Sequence, residues 1–72
     1  MIRMIEKVID MSKTADGGLA VNGENAPIVY CMIQRLAWHD GYNNITEVKI
    51  PKHNVRDAVV ALHNAGCRVN VI

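Results

Sequence analysis

Apolar and polar positions alternate most clearly in the C-terminal third of the chain. Val48 and Ile50 fall on one face and Glu47 and Lys49 on the other, which predicts a strand over residues 45–50. Asn54 then stands where a helix N-cap belongs, with Asp57 three positions on, favourably placed against the helix dipole. Val55, Ala58, Val59, Leu62 and Ala65 make one apolar stripe, so a helix is predicted over 54–65. Gly66 supplies the residue that a left-handed helix end requires. Cys67, Val69 and Val71 next alternate with Arg68, Asn70 and Ile72, a second strand over 67–72.

The N-terminal part is less uniform. Residues 1–13 fit two periods. Ile2, Ile5, Val8 and Ile9 would form a helical stripe. As a strand, Arg3, Ile5, Lys7, Ile9 and Met11 share one face, and Ile2, Met4, Glu6, Val8 and Asp10 the other. The Ile and Val content, the turn cluster Ser12 to Gly18 and the following Leu19-Ala20-Val21 favour a β-hairpin. After a second turn at Asn22–Asn25, capped by Asn25 or Ala26 and with Pro27 in its first turn, a helix is expected over 26–39, ending at Gly41. Val29, Met32, Ile33 and Leu36 form its core face. Ile28, Cys31 and Trp38, interrupted by Arg35, form a second apolar face. A helix apolar over more than half its circumference is buried on two sides. That marks Ile28, Cys31, Arg35 and Trp38 as a homodimer or protein-partner interface, unless the N-terminal segment covers them.

Together these elements predict one domain over residues 1–72. Its fold class is α+β: a small two-layer domain of order ββαβαβ, with helices on one face of a mixed sheet. The connection from 45–50 to 67–72 is long enough for a parallel βαβ crossover.

At 72 residues, a chain buries only about 60% of its unfolded surface, which makes stapling or association useful. The aromatic residues are Tyr30, Trp38 and Tyr42, so the core is aliphatic. The formal charge is +1, which implies no general polyanion affinity. Residues 44–72 are nonetheless net basic, with Lys49, Lys52, Arg56 and Arg68 against Glu47 and Asp57. Cys31 and Cys67 are far apart and outside any CxxC pattern, which points to free, buried thiols in a reducing cytoplasm. Apolar runs are far too short for a membrane span, which needs about 18 residues, and Arg3 and Glu6 interrupt Met1–Glu6, so no signal-peptide core is expected there.

Catalytic chemistry finds little footing. There is no phosphate-binding Gly-rich loop, HExxH or GxSxG. Cys31 lies mid-helix among apolar residues, where a thiol is inert. His63 and Cys67 are four apart, but Gly66 breaks the helix between them, and His39 and His53 would have to converge from elsewhere, so no metal site is expected. Asp16-Gly17-Gly18 has amides able to face an anion, although a hairpin turn is the more ordinary use. No cofactor is expected.

The stretch 51–72, PKHNVRDAVVALHNAGCRVNVI, resembles the recognition helix and first wing strand of winged helix-turn-helix regulators, those of the biotin-repressor type among them. The resemblance implies DNA binding, with Lys52, His53, Asn54 and Arg56 at the groove-facing start of helix 54–65 and Arg68 on the wing. Residues 46–50 decide between the architectures: a winged helix needs a helix there, whereas their β-branched alternation reads as strand. The expected function is therefore a small, non-enzymatic regulatory protein that docks on a protein partner, as a homodimer. A DNA-binding regulator is the alternative.

Overall fold

The computed structural model describes residues 6–72. The expectations that fall on Met1–Ile5 lie outside the described residues. Strand β1 (Lys7–Lys13) and strand β2 (Leu19–Asn22) form the expected antiparallel hairpin. Helix α1 (Asn25–Ile33) follows, then strands β3 (Trp38–Asp40) and β4 (Glu47–Ile50). A single 3-10 turn, Lys52–Asn54, leads into helix α2 (Val55–Asn64), and strand β5 (Cys67–Val71) completes the domain. The result is a two-layer α+β domain with a five-stranded mixed sheet in the order β3-β4-β2-β1-β5. β5 runs parallel to β1, and every other pairing is antiparallel.

Alternation divides the sheet into two faces. Ile9 and Met11 on β1, Leu19 and Val21 on β2, Val48 and Ile50 on β4, and Cys67 on β5 are all buried. They meet Ala26, Val29 and Ile33 of α1 and Ala58 and Leu62 of α2 in one core. Each large aliphatic side chain enclosed there is worth about 1.5–3 kcal/mol relative to exposure. The other face carries Val8, Asp10, Ser12, Asn22, Trp38, Asp40 and Arg68, all exposed to solvent.

Three expectations are corrected. Helix 26–39 ends at Ile33: Leu36 N–H donates to the Ile33 carbonyl (2.8 Å), closing a turn, and Trp38–Asp40 pair with β4 as a strand. The order is thus ββαββαβ. Second, β4 and β5 are not neighbours, because β2 and β1 lie between them and the parallel partner of β5 is β1. Third, Glu47–Ile50 is a strand paired on both edges, with β2 and β3. No helix stands before α2 across a turn, so the winged helix-turn-helix alternative does not describe this chain.

Gly66 has φ +89° and ends α2 as its pattern requires. Gly18 is needed for a different reason. A Cβ there would lie 2.2 Å from the Ile50 carbonyl oxygen, so only glycine lets the hairpin turn pass this close to β4.

Candidate functional site

The residues expected at an interface divide between the two layers. Ile28 and Cys31 lie on the outer side of α1, and Arg35 lies in the turn just beyond it; all three are exposed. Trp38 does not join them. Because the helix stops at Ile33, Trp38 sits on β3, opposite Lys49, on the sheet face away from the helices. His39, the next residue, points back toward the helices and meets the Tyr30 ring edge-on at 4.7 Å.

Met32 takes the place that Trp38 leaves. Its core-face position in the periodicity concealed this, yet it is 40% exposed, as is Ile28 one turn earlier. Its sulfur also reaches inward to Cys67 Sγ, 3.8 Å away. Ile28, Cys31, Met32 and Arg35 follow one another at helical spacing, so the outer side of α1 carries an apolar stripe with a cation at its end. A shallow hollow of about 420 Å³ lined by Met32, Ile33, Gln34, Arg35 and Leu36 continues the stripe.

A second hollow, of about 340 Å³, opens on the other side of the molecule between Thr14, Asp16, Trp38, Lys49 and Pro51. Lys49 Nζ stands 5.0 Å from the centre of the Trp38 ring. It is also 3.8 Å from Glu47 and 3.9 Å from Asp40, long contacts between partly exposed groups that contribute little. Asp16 is held by its own loop. Thr14 Oγ1 donates to its carboxylate and Gly18 N–H donates to it at 3.2 Å, so its pKa is lowered, chiefly by the Thr14 hydroxyl and then by the Gly18 amide. The Gly18 amide, considered above as an anion contact, is thus already occupied by Asp16 and by Thr14 Oγ1, 2.9 Å away.

The residues assigned to nucleic acid are not gathered into one surface. Lys52 and His53 are exposed on the 3-10 turn and Arg56 on the first turn of α2. Arg68 projects from the opposite side of the sheet, 3.9 Å from Glu6. Asn54 neither caps α2 nor faces solvent freely; its Nδ2 donates to the Leu36 carbonyl at 3.1 Å. Among the described residues, no three His, Cys, Asp or Glu side chains are grouped to hold a metal ion. No described helix is long and apolar enough to cross a membrane.

No protein-family model, curated protein or solved structure matches the chain. The functional reading therefore rests on the geometry of this chain alone.

Proposed function

We propose that the chain is a small, non-enzymatic regulatory protein that docks on a protein partner through the outer side of α1 and acts as a homodimer. One observation carries the reading. Ile28 and Met32, each 40% exposed, stand one helical turn apart with Cys31 between them. An amphipathic helix that offers a second apolar stripe to solvent is a common form of protein docking element. Arg35 provides a polar rim and a charged contact at one end. A cytoplasmic setting agrees with two free thiols, one of them exposed.

The test compares the wild-type chain with Ile28→Glu/Met32→Glu. Both positions are 40% exposed, and circular dichroism with a urea midpoint checks that the variant stays folded, since the Met32 sulfur also touches Cys67. A protein captured by the wild-type chain from its native lysate is purified and titrated against both forms. Binding weakened at least a hundredfold in the variant supports the docking face, whereas equal binding rejects it. A parallel titration with duplex DNA at low salt addresses the alternative. Affinity that falls steeply with salt and disappears in Arg56→Ala would replace protein docking with nucleic-acid binding.

A further inference from the structure

The outer edge of β5 is one of the two outer edges of the sheet, and no described strand covers it. The opposite edge of the sheet is β3, only three residues long and followed by Gly41. β5 has five residues, Cys67–Val71, with no proline, lysine or bulge to discourage pairing. Two hydrogen bonds fix which backbone groups it leaves free. The Gly66 carbonyl accepts from Lys7 N–H at 3.1 Å, and Ile72 N–H donates to the Met11 carbonyl at 2.9 Å. Alternation along the strand then turns the backbone groups of Arg68 and Asn70 toward β1 as well. The N–H and C=O groups of Cys67, Val69 and Val71 point outward.

We propose that this edge pairs with the same edge of a second copy, antiparallel, about a two-fold axis at Val69. The inference rests on the homodimeric part of the reading above and assigns the dimer contact to β5 rather than to α1. In this register the outward groups of Cys67, Val69 and Val71 meet those of the partner's Val71, Val69 and Cys67, and all are satisfied.

Three features favour a second copy over an unrelated strand. First, the apolar row is symmetric about Val69, so Val69 meets the partner's Val69 and Cys67 meets the partner's Val71. Second, the row is covered at one end and open at the other. Cys67 is buried against Met32, whereas Val71 is 46% exposed. Antiparallel pairing brings each open end beside the partner's covered end. Third, no like charges meet across the axis on the open face. Arg68 falls opposite the partner's Asn70. Within each chain, Asn70 Nδ2 donates to Asp10 Oδ1 at 2.9 Å, so an acidic group lies one strand behind the amide that Arg68 meets. The dimer would carry one continuous ten-stranded sheet, twice the five strands of a single chain.

Sedimentation of the full chain at about 100 µM, with Val69→Lys and Val69→Glu run separately and then mixed, tests the proposal. The wild type is expected as a dimer. Each variant alone places like charges opposite one another at the axis and is expected to weaken the dimer at least a hundredfold. The one-to-one mixture is expected to restore a dimer, which an unfolded variant would not do. Should Val69 prove too enclosed to substitute, Arg68→Glu, at an exposed position, is expected to weaken the wild-type dimer at least tenfold. A monomeric wild type overturns the proposal, and leaves the edge to a foreign strand. A dimer unaffected by Val69→Lys and Arg68→Glu also overturns it. If that dimer instead dissociates in Ile28→Glu, α1 is the dimer contact and the edge is not. Titration of the purified partner decides separately whether α1 docks on another protein.

Discussion

Asn54 Nδ2 donates to the carbonyl oxygen of Leu36 at 3.1 Å, across eighteen positions of sequence. The bond joins the start of α2 to the turn that ends α1. It therefore holds the point where the chain leaves the helical layer to enter β3. Asn54 is a good N-cap residue by type, yet its side chain caps nothing here. Asn54→Ala is expected to lower stability by about 1 kcal/mol, the net worth of one such bond. Asn54→Asp separates the two roles, because Asp caps helices well but its carboxylate cannot donate to Leu36. Urea midpoints for both variants, at unchanged slope, should fall together; a stable Asp variant would mean that capping dominates.

Leu62 is fully enclosed between α2 and the sheet. Truncating a leucine at such a site costs about 2–5 kcal/mol. A domain of this size has little stability to lose. Leu62→Ala is therefore expected to be largely unfolded by circular dichroism at 37 °C, while Val60→Ala, on the exposed side of the same helix, should melt within a few degrees of wild type.

Gly18 allows the hairpin turn to lie against the Ile50 carbonyl. The obstacle to any larger residue is backbone rather than a side chain able to swing away. Gly18→Ala is expected to cost about 1–3 kcal/mol, the usual range for forced overpacking. Thermal denaturation of Gly18→Ala beside wild type checks this; an unchanged midpoint would mean that the turn relaxes around the added Cβ.

Asp16 gives the hairpin a pH dependence of definite sign. Its carboxylate accepts from Thr14 and Gly18, and its folded pKa lies below the ordinary 3.8. The unfolded chain therefore takes up a proton before the folded one does. Asp16 adds stability above the ordinary carboxylate range, and that contribution is lost as pH falls through the lowered folded value. Asp16→Asn keeps the accepting oxygen but removes the titration. Its stability should fall less steeply than wild type as pH drops below about 4, as urea midpoints would record.

The parts of the fold that were legible in the chain are those decided locally. Helix α2 and its stop at Gly66 come from one apolar stripe and one φ requirement. The two faces of β1, with Ile9 and Met11 inward and Val8 and Asp10 outward, follow directly from alternation. What escaped was decided at a distance. Leu36, Ala37 and Trp38 continue a helical period with no proline or glycine before Gly41, and only the pairing of Trp38 with Lys49 makes a strand of the segment. The same error placed Trp38 beside Ile28 and Cys31 in one interface. Met32 is a separate case: helical spacing groups it with Val29 and Ile33 on the core face, yet it is 40% exposed. Likewise, no local pattern in β5 shows that its parallel neighbour is β1 rather than β4.

The pairing of Lys7 with Cys67 has a consequence for synthesis. A ribosome adds about 5–20 residues per second, so β1 precedes its parallel partner by about 3–12 seconds. During that interval the nascent hairpin has Ile9 and Met11 without the neighbouring strand, and without the helix that later lies over them. Lys7, Asp10 and Lys13, spaced along β1, put charge on this temporary border, the usual protection against pairing with a stray strand. The same long-range closure makes completion of the sheet a late step.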